Sequence, residues 1–305
     1  MGKHTHGDST VSGQRFFWVT TLNILITVVE FIGGGLSGSL SLVSDAFHNL
    51  SDSAAIAFSY VAHRISKKPQ DSKSTYGYRR AQIIVAFLNS IVLIMICVGL
   101  VVEAIQRISH PEPINGKMML IVSIVGLLAN VLSAVLLNAG AQKNLNMKAT
   151  YLHIMSDALS SVAIIIGGIL IQLYNWTLVD PAITIIVALY IIYEAAPIIR
   201  QTFKILMEEA PADIDYHGMK ADLMKLDNVL GVHHIHAWQI DEHNLIVSLH
   251  VNLKEDMCIS EAETIYREID EVLADKYEVS HVTIQAEAKR GVHEKMIYDQ
   301  GKDLP

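Results

Sequence analysis

Charge is scarce in this sequence. Only 18% of its 305 residues are Asp, Glu, Lys or Arg, while 51% are hydrophobic and the mean hydropathy is +0.35. That balance is too apolar for an ordinary soluble protein of two domains. There are two cysteines, Cys97 inside an apolar stretch and Cys258 far along the chain, so no disulfide framework holds the fold. There is no His-Glu-x-x-His run, which removes a common signature of zinc hydrolases. The formal net charge of -8 belongs mainly to the last third of the chain and argues against a nucleic-acid partner. The first apolar stretch is too long for a signal-peptide core and lacks a small-residue cleavage pattern, so it is expected to stay in the mature protein. Gly2 is not followed by the Ser or Thr that N-myristoylation wants, since His6 stands there.

Long apolar sequence is what the chain has in abundance. A helix that crosses a bilayer needs roughly 20 mostly apolar residues. Six stretches qualify: Phe16 to Leu36, Leu40 to Ala62, Ala81 to Ala104, Met118 to Leu137, Tyr151 to Tyr174, and Val179 to Ile199. They read as six transmembrane helices in a lipid bilayer. Orientation follows from the short loops, because Lys and Arg are retained on the cytoplasmic side. Arg64, Lys67, Lys68, Lys73, Arg79 and Arg80 lie between the second and third stretches, and Lys143 and Lys148 between the fourth and fifth. The opposite loops hold only Arg107 and Lys117, so both termini are expected in the cytoplasm. Gly33, Gly34, Gly35 and Gly38 fall where the chain is expected to turn over outside the membrane.

From about Glu208 to Glu287 charges become frequent and short periodic segments replace the apolar runs. Asp213 or Asp215 can cap a helix over Tyr216 to Leu226, and Val232 to Ile240 and Leu245 to Leu253 alternate as strands. Ser260 can cap a helix carrying Ala262, Ile265, Ile269, Val272 and Leu273 at helical spacing, and Val279 to Ala286 gives a third strand. The order αββαβ is most economically folded as a small α+β sandwich. The chain thus divides into a cytoplasmic N-terminal tail (1–15), a six-helix transmembrane domain (16–200), a linker (201–212), a cytoplasmic metal-binding domain (213–290) and a loosely ordered C-terminal tail (291–305).

Ionisable side chains inside a bilayer are costly and rare unless they pair, line a cavity or bind an ion. Two of the apolar stretches nevertheless repeat His-x-x-Ser-Asp, as His48 to Asp52 in the second and His153 to Asp157 in the fifth. Four-residue spacing puts His and Asp on one helical face, so two such helices can present two imidazoles and two carboxylates to one point. A lone membrane histidine is readily explained by a hydrogen bond to a neighbouring helix; a matched pair of His/Asp motifs at similar depth is not. Nitrogen and oxygen ligands in a tetrahedral set suit Zn2+, with Co2+ or Cd2+ possible by the same geometry, whereas Mg2+ and Ca2+ favour oxygen alone. The lack of a Cys or Met ligand speaks against Cu(I). Asp45 is either a proton relay or partner of a ligand, or a solvated acid near the outer surface. Glu30 is a candidate for lining the path of the ion. Glu103 and Glu194 lie near span ends, where solvation or pairing explains them, and Asp180 before Pro181 reads as a helix cap.

The tail has its own cluster, His233, His234 and His236, followed by His250 and His281. Alternation along a strand would send His234 and His236 to one face and His233 to the other. His233 and His250, with an acid such as Glu287, are the plausible ligand set, against the bland alternative of surface histidines on an exposed sheet. His4 and His6 are too few for more than weak metal capture.

Together these residues resemble the cation diffusion facilitator family. The resemblance is carried by the six stretches, Ser41 to His48, the loop Tyr76 to Arg80, the second His-x-x-x-Asp, Val179-Asp180-Pro181, Gly231 to Trp238 and His281 to Gln285. It implies a transport site at His48, Asp52, His153 and Asp157, and the histidines resemble the zinc-preferring members. It also implies a homodimer whose cytoplasmic domains are ferredoxin-like and meet across bound Zn2+ at His233, His250 and Glu287. Ser74 and Tyr78 stand where some members carry loop ligands, so that loop site is not expected; Glu263 and Gln285, where some have His, argue against a second tail ion. No long His-rich insertion separates the fourth and fifth stretches, as in bacterial members, so the resemblance implies a bacterial inner membrane.

Metal ligands must be deprotonated, so metal binding and proton release are linked, and an imidazole with a pKa of about 6.5 changes charge near cytoplasmic pH. The expected activity is export of Zn2+, or of Cd2+ or Co2+, in exchange for protons by alternating access, with no enzymatic step and no cofactor beyond the ion itself. Two rival classes are an intramembrane metalloenzyme, which would need an open metal position and a separate base, and a metal sensor, which would need no polar membrane core.

Overall fold

The computed structural model describes residues 7–141, 145–254, 256–288 and 296. His4, His6 and, apart from Met296, the expected loose end past Ala288 lie outside the described residues. Six long helices come first: α1 (Gly7–Ser37), α2 (Leu40–Ser66), α3 (Arg80–Ser109), α4 (Gly116–Ala141), α5 (Leu145–Tyr174) and α6 (Val179–Leu206). Residues 7–15 of the expected N-terminal tail are therefore continuous with the first helix. Among the described residues, five helices are long and apolar enough to cross a membrane: Trp18–Ser37, Arg80–Ser109, Gly116–Asn138, Tyr151–Tyr174 and Val179–Leu206. The second stretch is also one unbroken helix of 27 residues, but Asp45, His48, Asn49 and Asp52 hold it below that apolarity.

The chain forms two compact units, one of the long helices up to residue 199 without 62–84, the other of 62–84 with the residues from 200 onward. The helical unit is turned inside out relative to a soluble protein. Leu128, Val135, Leu159, Ile186 and Tyr193 point outward, while Glu30, Asp45, Asn49, Asn130, Asp157 and Asp180 are buried. That is the arrangement expected where the surroundings are as apolar as leucine and polar groups serve between helices. Several small apolar clusters replace a single core: Leu42 with Met119, Val122 and Ile164 joins α2, α4 and α5, and Leu93 and Cys97 with Ala188 and Ile191 joins α3 and α6. The turn between α1 and α2 is tighter than expected. α1 runs straight through Gly33 to Gly35, and only Gly38 adopts a positive φ, of 74°. Gly34 serves close packing instead, since a Cβ there would lie 2.7 Å from Val43 Cγ2.

In the second unit α7 (Tyr216–Leu223), β1 (Val229–Gln239), β2 (Leu245–Leu253), α8 (Ile259–Tyr277) and β3 (Val279–Glu287) follow in the expected order. The sheet is mixed, with β2 central, β1 antiparallel to it and β3 parallel. Val232, Ile235, Val247, Leu249 and Val251 of the sheet pack with Met219, Leu223, Ile265, Ile269 and Leu273 of the helices. Asp215 caps α7, its Oδ1 accepting from the Gly218 amide at 2.9 Å. The cap of α8 is Cys258 rather than Ser260, with the Glu261 carboxylate reaching back to the Cys258 amide at 3.0 Å. The loop after α2 is knit by Asp71, whose Oδ1 accepts from the amides of Lys73 and Ser74 and whose Oδ2 accepts from the Tyr78 hydroxyl at 2.7 Å. The Tyr78 hydroxyl, then those amides, hold the Asp71 carboxyl below the usual carboxylate range.

Two bulges in β1 reset its faces. His233 pairs with His250 but His236 pairs with Ser248, so His234 and Ile235 together stand opposite one residue, and His234 takes a left-handed φ of 54°. A second irregularity lies between Val229 and Gly231. The buried positions Val229, Val232, Ile235 and Ala237 are consequently spaced 3, 3 and 2 apart. The strict alternation expected from the sequence fails here, and His233 and His236 share the sheet face away from the helices.

Candidate functional site

The helical unit gathers its ionisable groups between α2 and α5. His48 and Asp52 occupy successive turns of α2, and His153 and Asp157 successive turns of α5. His153 Nε2 lies 2.8 Å from Asp52 Oδ2, and His48 Nε2 lies 3.5 Å from Asp157 Oδ1 and 3.7 Å from Asp52 Oδ2. His153 Nε2 and Asp157 Oδ2 are 3.9 Å apart, and the two imidazole centroids 5.6 Å. The ligand atoms of His48, Asp52 and His153 fall within 4.8 Å of one another; the buried Asp157 lies outside that close set and meets it through the two imidazoles. Two imidazoles and one carboxylate thus converge, with the second carboxylate beside both imidazoles, and together they make a nitrogen and oxygen donor set of the kind that suits a tetrahedral divalent ion.

The other acids of this unit have hydrogen-bond or ion-pair partners outside the four residues above. Asp45 is buried at 2% exposure, which removes the reading of a solvated outer acid, and it accepts from the Ser160 hydroxyl at 3.0 Å. Glu30 is 1% exposed and accepts from Asn49 Nδ2 at 2.8 Å. Glu103 pairs with Arg107 at 3.2 Å, and Glu194 accepts from the Tyr190 hydroxyl at 2.6 Å. Asp180 caps a helix other than its own. From the start of α6 it accepts the hydroxyls of Ser39 and Ser41 at 2.6 Å each, and the amides of Leu40 and Ser41 at 2.8 and 3.2 Å. It therefore fixes the first turn of the helix that carries His48 and Asp52. The sequence held no signal for this, because the partners are about 140 residues apart.

In the second unit the strands bring together His233 from β1, His250 from β2 and Glu287 from β3. His250 Nδ1 lies 3.1 Å from Glu287 Oε1 and His233 Nε2 3.2 Å from Glu287 Oε2, with all three ligand atoms within 4.8 Å of one another. Cross-strand pairing of His233 with His250, and of Asn252 with Glu287, sets this geometry. His234 joins neither face cleanly: its ring stacks on His250 at 4.4 Å and meets His236 at 4.9 Å. Burial, and then His234, hold the His236 pKa below the ordinary imidazole value. His281 pairs with Ile246, toward the opposite end of β3 from Glu287, and stays apart from this set.

Comparison with known proteins gives two family matches. Residues 17–207 match the model described as the cation efflux transmembrane domain, and residues 211–289 that of the cation efflux protein cytoplasmic domain. The chain is 34% identical over 302 residues to a protein of Bacillus velezensis named cadmium, cobalt and zinc/H(+)-K(+) antiporter, covering 98% of this chain and 96% of that one. It is 35% identical over 290 residues to zinc transporter ZitB of Escherichia coli, covering 93% and 91%. Against the metal cation efflux system protein CzcD of Cupriavidus metallidurans the identity is 32% over 284 residues, covering 93% and 89%.

Proposed function

Because the chain belongs to the cation efflux, or cation diffusion facilitator, family of multi-pass membrane transporters, we propose that it exports Zn2+ from the bacterial cytoplasm across the inner membrane in exchange for protons. Cd2+ and Co2+ share the route, as the names given to its relatives suggest. α2 is the sixth span, polar because it carries half the site, and both termini face the cytoplasm. The observation that carries the reading is the convergence of His48, Asp52, His153 and Asp157 from two helices.

In the inward-facing state the deprotonated imidazoles and the two carboxylates take the ion and neutralise its charge. The bundle rocks outward, and protons entering from outside compete for the same nitrogens and oxygens and displace the metal. Uptake of radioactive zinc into inverted vesicles tests this: flux should rise with an imposed pH gradient and vanish when the gradient is collapsed. Flux indifferent to the gradient would sink the antiport reading.

Metal preference should follow donor chemistry. His48→Asp replaces a nitrogen by an oxygen, and the harder set should lose preference for Zn2+ and gain relative Cd2+ or Mn2+ transport. Competition among Zn2+, Cd2+, Co2+ and Mn2+ in the same vesicles reads the ranking; an unchanged order counts against His48 as a ligand.

The tail is a ferredoxin-like domain that dimerises, and Zn2+ at His233, His250 and Glu287 favours the closely docked pair of tails through its greater affinity for that state. A His233→Ala, His250→Ala double variant should keep zinc flux at a reduced rate and lose zinc-induced approach of spin labels on the two tails. Tightening as in the unaltered protein would show that these histidines are not the ligands. Flux lost outright while the four membrane ligands still bind zinc would show the tail ion to be obligatory.

A further inference from the structure

The helical unit holds a second buried acid pair that the four metal ligands leave unused. Glu30 of α1 and Asp45 of α2 are both buried and lie within hydrogen-bonding reach of each other. Asn49 Nδ2 donates to Glu30 and the Ser160 hydroxyl to Asp45. On the α4 side Gly126 lies so close that a Cβ there would come within 2.8 Å of Glu30 Oε1. α4 seals the site with backbone and brings no charge to it, since the one charged residue in that helix is Lys117 near its start. The charges that act on Glu30 are Asp45 from α2 and, farther off, Asp157 from α5, all of one sign.

Donors are too few for these acceptors. The hydrogen bonds donated to Glu30 and Asp45 among the described residues come from the Asn49 amide and the Ser160 hydroxyl, while the Ser44 hydroxyl of α2 and the Asn130 amide of α4, both buried, donate to neither. Asn49 Oδ1 is buried without a hydrogen-bond partner. Two carboxylates in contact, out of water and with no cation beside them cannot both be ionised, because desolvation and mutual repulsion act together; one proton between them turns the repulsion into a hydrogen bond.

We infer that Glu30 and Asp45 form a proton-carrying site distinct from the metal site, holding one proton between the two carboxyls and exchanging it as the ion is transported. Asp45 precedes His48 by three residues, about 4.5 Å along the helix axis, close enough for a divalent ion at the metal site to repel that proton. Only a proton moves. When Zn2+ binds, it passes from the shared O–H bond to water in the open access path, the charge of the ion offsetting the two carboxylates. When Zn2+ departs, the pair takes a proton back from water on the side then open.

The inference rests on the antiport reading, and the test separates the two. The purified full-length chain in lipid vesicles should show, at neutral pH, the infrared C=O stretch of a protonated carboxylic acid, weakening when Zn2+ is added. Glu30→Gln should remove that band, retain zinc binding by the intact His48, Asp52, His153, Asp157 set, and lower the protons moved per zinc by about one. Asp45→Asn tests the pair from the other side and should do the same. An unaltered protein that exchanges zinc for protons but lacks the band overturns this inference alone, as does an unchanged proton-to-zinc ratio in both variants. An unaltered protein that shows the band yet moves zinc without protons overturns the antiport reading and, with it, the carrier role.

Discussion

Asp157→Ala should abolish zinc flux while the protein remains folded, and Asp52→Ala should do the same. On the proposed reading each carboxylate supplies one of the two negative charges that offset the bound divalent ion. Truncating one partner of such a buried charged contact costs on the order of 3 kcal/mol, about a hundredfold in affinity. The cost falls on the metal-bound state. Without metal, Asp157 contacts the two imidazoles only at 3.5 and 3.9 Å, so little native structure depends on it. Equilibrium zinc binding, vesicle flux and thermal unfolding of the same preparation give the check. Near-normal flux in a folded single variant would remove that residue from the site.

The opposite signature is expected at Asp180. Asp180→Ala should lower the melting temperature sharply and take flux down with it, because it strips four hydrogen bonds from the first turn of α2 at once. The amides of Leu40 and Ser41 would lose their acceptor, and the Ser39 and Ser41 hydroxyls, 3.1 Å apart, would be left to bond each other. Hydrogen bonds to a charged group contribute about 1.5–3 kcal/mol each, so even with partial rearrangement the loss should exceed about 3 kcal/mol. Asp180→Asn keeps the shape but turns an amide toward donors, and should fall between. Asp52 and Asp157 variants that fail in binding but not in melting, beside an Asp180 variant that fails in melting first, would separate ligand from scaffold. A melt of Asp180→Ala indistinguishable from that of the unaltered chain would show that α2 holds its place without this cap.

The sequence was most readable where one interaction repeats along the chain. Apolar runs located the long helices, because length and composition alone decide them. The bounds of β2 came out as Leu245 to Leu253 because its alternation is uninterrupted. Spacing placed His48 over Asp52 and His153 over Asp157, but spacing is local; that α2 and α5 face each other is a tertiary fact. Reading failed where a choice is settled by partners distant in sequence. Cys258 and Ser260 are each followed three residues on by a glutamate, Glu261 and Glu263, so the capping pattern fits two registers. The bulge at His234 is set by pairing with β2 and has no glycine to announce it. The contacts of Asp180 and of Glu30 join helices far apart in the chain, and only folding reveals them.

The broken run of β1 bears on association as well as on ligands. β1 is an outer strand of the sheet, and a straight, evenly spaced outer strand offers its free amides and carbonyls as a template for another strand. Domains tethered to a membrane are held at high local concentration, where such templating is most dangerous. The irregularities at Val229 to Gly231 and His233 to His236 interrupt the spacing that an incoming strand would need. The Ile235 amide beside the second irregularity is also already taken by the Met296 carbonyl at 2.9 Å, so this edge makes a poor template for a strand from a neighbouring copy.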